Sequence, residues 1–124
     1  MIRAVLLALS LAALTLTGPA ALAQEPASEG TAALLRGLDK HAGTVVDLPL
    51  RVGETIALGW LQITLAECRF PTANPSGDAY ARLVIRESHG APAIFDGWMI
   101  ASSPALNALD HGRYDVWVMT CTTD

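Results

Sequence analysis

The stretch Leu61-Gln62-Ile63-Thr64-Leu65-Ala66-Glu67-Cys68 decides the fold class, because it alternates. Leu61, Ile63 and Leu65 fall on one side, and Gln62, Thr64, Ala66 and Cys68 on the other. A period of two marks a β-strand with one buried face. The same period recurs in both directions along the chain. Upstream, Val46, Leu48, Leu50 and Val52 alternate with Asp47, Pro49 and Arg51. Pro49 has no amide hydrogen to give to a ladder, which predicts an edge strand. Downstream, Ala81, Leu83 and Ile85 alternate with Arg82 and Arg86, and residues 93–100 form a further strand. The last run sets Tyr114, Val116 and Val118 against Asp115, Trp117, Met119 and Cys121. Both of its faces are largely apolar, which predicts a central strand covered on each side.

Between these runs, Thr55 to Leu58 forms a short strand, and Gly53-Glu54, residues 70–78 and residues 88–92 carry the glycines and prolines of turns and loops. Residues 32–40 are ambiguous between a short helix and an extended segment, since Gly37 weakens either. One helix is expected near 103–111: Ser103 caps it, Pro104 suits its first position, Leu106 and Leu109 form an i, i+3 apolar pair, and Gly112 ends it. The expectation is a mainly β domain, a small antiparallel sandwich or partly open barrel with that one helix.

The first 23 residues read as a cleaved secretory signal peptide. Arg3 is the positive charge, Ala4 to Leu16 an uncharged apolar run too short to span a bilayer, and Ala21-Leu22-Ala23 a small-x-small cleavage site. No cysteine follows Ala23 to take a lipid. The expected organisation is a signal peptide at 1–23, a flexible polar leader at 24–31, and a single β-rich domain at 32–124. The expected location is the periplasm, with no stable membrane span after cleavage. Beyond the signal the chain keeps seven Lys/Arg against twelve Asp/Glu, a net charge of −5 without basic clusters, which argues against nucleic acid as a partner.

The two cysteines, Cys68 and Cys121, both lie in the exported part and admit one intramolecular disulfide. The C-x-x-C spacing of a redox-active pair is absent, and two distant cysteines do not make a zinc site. His41, His89 and His111 show no metal-ligand spacing, and no glycine-rich phosphate loop is present, so neither metal nor cofactor is expected. Ser102, Ser103, His111 and Asp115 supply the residue types of a hydrolytic triad, but no G-x-S-x-G elbow accompanies them and each has a plain structural explanation. Trp60, Trp98, Trp117, Tyr80 and Tyr114 are many aromatics for a small domain. They serve either as core or as anchors lining a groove.

Several stretches carry a resemblance: Leu35 to Lys40, Val52-Gly53-Glu54-Thr55, Cys68, Phe95 to Leu106 with its G-W-M-x-A-S-S-P-x-L pattern, Tyr114-Asp115-Val116-Trp117, and Cys121. Together they are similar to the bacterial domain-of-unknown-function family 2155. The resemblance covers roughly residues 35–121 and implies a small exported protein, with no activity to carry over. Its most specific stretches surround the segment between Gly97 and Trp117. The expected function is therefore non-enzymatic binding of an envelope protein or peptide, with Trp98, Met99, Ser102, Ser103, His111, Tyr114 and Trp117 as contributors. The alternative is a small periplasmic hydrolase or ligand-binding module using Ser102, His111 and Asp115.

Overall fold

Among the described residues, alternation in the sequence becomes eight antiparallel strands in two sheets. The computed structural model describes Gly18 and residues 25–123; apart from Gly18, the expected signal segment 1–23 and its cleavage position after Ala23 lie outside them. The strands are β1 (Ala27–Glu29), β2 (Ala32–Asp39), β3 (Thr44–Arg51), β4 (Thr55–Leu58), β5 (Leu61–Pro71), β6 (Tyr80–Arg86), β7 (Ala93–Ile100) and β8 (Tyr114–Thr122). One sheet runs β1-β5-β6-β7 with β4 also paired to β5, and the other runs β3-β2-β8. They pack face to face as a small sandwich and do not close into a barrel. Leu61, Ile63 and Leu65 of β5 and Ala81, Leu83 and Ile85 of β6 meet Ala33 and Leu35 of β2 and Val116 and Val118 of β8 in the shared core.

Pro49 lies where its missing donor costs nothing. β3 pairs with β2 alone, with Pro49 opposite Leu34. The ambiguous segment is β2, the middle strand of its sheet. Gly37 belongs there because a β-carbon would lie 2.9 and 3.2 Å from side-chain atoms of Leu58 and Leu48. β8 is not the expected central strand: it pairs with β2 only and forms the other edge. Its outward residue Trp117 is half-buried on the outer face, so an apolar second face did not require a second covering layer. Within the stretch expected to be a leader, Ala27–Glu29 forms β1, with Ala27 opposite Pro71 and Glu29 opposite Arg69. A short polar strand at a sheet edge leaves no apolar period to read.

The expected helix at 103–111 is absent, and no helix occurs among the described residues. Two tight turns replace its start: the Ser103 amide donates to the Ile100 carbonyl (3.1 Å) and the Leu106 amide to the Ser103 carbonyl (3.1 Å). A helix of two turns is marginal by itself, and tertiary contacts outweigh its caps. Asn107 Nδ2 donates 3.0 Å to the Trp98 carbonyl, and Leu109 inserts into the core while Leu106 stays 74% exposed. The segment 101–113 thus straps the side of the sandwich where β7 and β8 are edges. Gly97 leaves room for the strap, since a β-carbon there would meet Asn107 Nδ2 at 2.7 Å.

Strict alternation assigns Cys68 and Cys121 to the faces opposite the core residues of their strands. The structure turns both inward with β-bulges. In β5 the register passes from Leu65↔Leu83 to Glu67↔Arg82, leaving Ala66 as the extra residue. In β8, Val118 and Thr120 face consecutive residues of β2, leaving Met119 as the extra residue. One inserted residue flips every later side chain to the other face. Both sulfurs consequently point between the sheets and form the Cys68–Cys121 disulfide, with Cα atoms 5.8 Å apart.

Candidate functional site

The seven residues expected to share a binding surface go to several places. Met99 and Tyr114 are core residues, 2% and 3% exposed. Trp98 stands on the outer face of the β1-β5-β6-β7 sheet, and Trp117 on the outer face of the other sheet. Ser103 joins the two tight turns of the strap. Ser102 and His111 lie at opposite ends of the sandwich, because the strap runs its full length between them.

At the disulfide end, Ser102 is held by Asp78. Its Oγ donates 2.7 Å to Asp78 Oδ2 and its amide 3.0 Å to Oδ1. Burial alone would raise the Asp78 carboxyl, but Ser102 and the Ala79 amide hold it below the ordinary carboxylate range. At the opposite end, His111 Nδ1 accepts the amides of Arg113 and Tyr114, each at 3.0 Å, so Nε2 carries the proton and donates to Glu87 Oε1 at 2.9 Å. Glu87 also accepts the Trp60 indole N–H. Trp60 meets Tyr114 edge-on at 4.9 Å, and the Arg113 guanidinium lies over both rings. Arg113 in turn grips Asp39, 3.0 Å from Nη2 to Oδ2. Lys40 Nζ donates 2.6 Å to the His111 carbonyl.

This arrangement does not bring Ser102, His111 and Asp115, the residues of the hydrolase alternative, together as a triad. Ser102 is tied to Asp78, both His111 nitrogens are committed, and Asp115 Oδ1 accepts the Val116 amide. No hydrogen bond among the described residues joins any two of the three. A triad requires a nucleophile, a base and an orienter in contact. Among the described residues no group of three or more His, Cys, Asp and Glu is placed to hold a metal ion.

The surface that does gather contact-forming side chains surrounds Trp98. Arg69 of β5, Tyr80 of β6, and Trp98 and Ile100 of β7 line an open depression of about 720 Å³ on the outer face of the larger sheet. Arg69 lies opposite Tyr80 and Tyr80 opposite Ile100, which makes one row across three strands with Trp98 diagonal to Tyr80. The Arg69 guanidinium sits 5.6 Å from the Trp98 ring centroid and is also 3.1 Å from Glu67 Oε1. Burial is the main cause that raises the Tyr80 phenol above its ordinary value, assisted by the charges of Asp78 and Glu25. Sequence reasoning names Tyr80 only among the aromatics that are either core or groove anchors and misses Arg69 and Ile100: the β5 bulge reverses the face that period two assigns to Arg69, and period two does not give the register that makes these residues neighbours.

Fold and surface together define a small two-sheet β-sandwich with a single staple, a strapped side and one aromatic depression on an outer face. Residues 33–121, well over half of the chain, match the family described as "Uncharacterized protein conserved in bacteria (DUF2155)", and the chain belongs to that family. It is also 28% identical over 87 residues to an uncharacterised protein of Rickettsia prowazekii (strain Madrid E), covering 68% of this chain and 56% of that one. The chain thus spans about half the length of the curated relative it matches. No solved structure matches.

Proposed function

We propose that this chain is an exported, periplasmic accessory domain that binds an extended peptide segment of an envelope protein and carries out no chemistry of its own. The export reading rests on the 1–23 signal pattern, and the disulfide is compatible with an oxidising compartment. The observation that carries the binding reading is the depression formed by Arg69, Tyr80, Trp98 and Ile100. It holds two aromatic side chains outside the core, where they stabilise nothing between the sheets, beside a guanidinium that can bond to peptide carbonyls. Large, rigid aromatic surfaces with an adjacent arginine are the residue types that dominate binding energy at interfaces. Of the seven residues expected to share a binding surface, only Trp98 belongs to this one, joined by Tyr80 from the wider set of aromatics.

In-cell photocrosslinking tests the reading. A photoreactive residue in place of Tyr80 should capture an envelope polypeptide, whereas one in place of Val46, on the other sheet, should not. Trp98→Ala should abolish the Tyr80-dependent product while leaving the protein folded and oxidised. Identical products from both positions, or none from Tyr80 in folded protein, would overturn the proposal, and osmotic-shock fractionation checks the compartment.

A further inference from the structure

The segment that leads into β2 lies directly on the disulfide. The Gly30 amide donates 2.6 Å to the Cys68 carbonyl, and the Thr31 amide donates 2.8 Å to the Thr122 carbonyl, one residue beyond Cys121. A β-carbon at Gly30 would lie 3.4 Å from the Cys68 carbonyl oxygen, 3.5 Å from Cys121 Cβ and 3.1 Å from the Thr122 carbonyl oxygen. Its φ is not in the left-handed region, so what limits this position is closeness to the Thr122 carbonyl rather than backbone conformation. Beneath it Cys68 is 2% and Cys121 6% exposed. The cover is held at its far end by β1: the Thr72 amide donates to the Pro26 carbonyl (2.9 Å), and Ser28 Oγ bonds Thr72 Oγ1 (2.8 Å). A cavity of about 220 Å³ lined by Glu29, Gly30, Val52, Glu67, Cys68 and Arg69 runs along the flank of this cover and reaches Cys68.

We propose that residues 26–31 form a latch that gates thiol chemistry at Cys68–Cys121. Reduction requires a thiolate to approach one sulfur in line, forming a mixed disulfide and expelling the other cysteine as thiolate. The second thiol of a dithiol reductant then closes its own ring and releases the second cysteine, so the reductant is oxidised by two electrons as the protein bond is reduced. With the latch closed both cysteines are almost wholly covered, which hinders that approach. Opening it costs little apolar surface, because β1 is three residues long, polar and at a sheet edge. The latch therefore opens by a local fluctuation, far more often than the domain unfolds. The same gate acts in the other direction: before the latch docks, a disulfide-bearing oxidant exchanges with one thiol, the second thiol displaces it, and its own disulfide leaves as a dithiol carrying the two electrons and two protons, which places bond formation ahead of β1 pairing during folding.

The test is the rate at which dithiothreitol reduces the oxidised protein in native buffer, followed by alkylation and mass measurement. In wild type the rate should rise with sub-denaturing urea along a slope much shallower than that of equilibrium unfolding, as local opening requires. Gly30→Leu, which cannot seat over Cys121, and Ser28→Pro, which disrupts β1, should each accelerate reduction by roughly tenfold or more with the urea midpoint of the oxidised protein little changed. A wild-type slope equal to that of global unfolding would overturn the latch, and it is read without any variant. So would variants that are reduced at the wild-type rate, or that accelerate only in proportion to lost global stability.

Discussion

The two ends of the sandwich are fastened by different means. At one end a single covalent bond joins β5 to β8. At the other, Asp39 at the end of β2, Lys40 just after it, Trp60 from the β4–β5 turn, Glu87 after β6, His111 and Arg113 just before β8, and Tyr114 at its start clasp the same two sheets with hydrogen bonds and ring contacts. The covalent end stabilises mainly by limiting the unfolded chain, so it is indifferent to small changes in native geometry. The clasp is a set of contacts worth on the order of 1 kcal/mol each, all of which depend on native geometry. A change at the first end should be felt as one large step, and changes at the second as graded losses.

The largest step is removal of the staple. Cys68 and Cys121 are separated by 53 positions, and opening a loop of that size costs about 4 kcal/mol in the chain-entropy model. For a domain of this length that corresponds to a fall in Tm of roughly 20 °C. The double variant Cys68→Ser, Cys121→Ser should show it in thermal unfolding followed by circular dichroism, and reductant should have no further effect on that variant. A loss below about 1 kcal/mol would mean that the clasp, not the staple, keeps the sheets together.

A smaller loss tests the clasp at its tightest point. Gly59 turns β4 into β5 with φ of +57°, and a β-carbon there would collide with the Tyr114 hydroxyl and ring. Gly59→Ala meets both a left-handed backbone and a displaced core tyrosine, so about 2–3 kcal/mol of stability should go. The urea midpoint measures this, and near-ultraviolet circular dichroism should report the moved Trp60 and Tyr114 rings. An unchanged near-ultraviolet spectrum would show that the aromatic contacts do not depend on this turn.

The two ends also differed in how far they could be read from sequence. The strands follow from alternation: Leu61, Ile63 and Leu65 face the core as expected, and 93–100 is a strand with the expected bounds. The cysteine pair is legible by counting, yet the parity of its own strands argued against it, because Ala66 and Met119 are bulge residues that carry no distinctive side chain. The pattern at 103–111 makes Leu109 and Asn107 helix residues, since a sequence does not show that a core vacancy and an open strand edge wait beside them. Tyr80 is legible as an outward residue of its strand, but strict parity puts Arg69 on the core face of β5; the Ala66 bulge turns it outward, and its meeting with Trp98 depends on register across three strands. The clasp draws on positions from 39 to 114 and has no local pattern at all. Within the family-like stretch at 95–106, Phe95 and Met99 fill the core, Gly97 admits the strap, and Ser102 anchors it to Asp78. Much of that specificity therefore belongs to the strapped side rather than to a binding surface.

The smallest effect separates the ends by pH. Arg113 is the main cause that lowers the Asp39 carboxyl from 3.8 to about 2, with the Ala42 and His41 amides assisting. A carboxyl that binds its proton more weakly when folded contributes stability that is present above its unfolded value and disappears as the pH falls through its folded one. The Asp39 contribution should therefore be intact at pH 5 and lost progressively between about pH 4 and pH 2, whereas the disulfide contributes the same throughout that window. Surface-facing ion pairs are screened by solvent and salt, which makes this effect smaller than the other two. The check is the difference in urea midpoint between wild type and Asp39→Asn from pH 5 down to pH 2, since the remaining carboxylates are common to both proteins. That difference should shrink as the pH falls. Two curves that run parallel through the window would break the assignment, because Arg113 would then be holding Asp39 no more firmly in the folded chain than water does in the unfolded one.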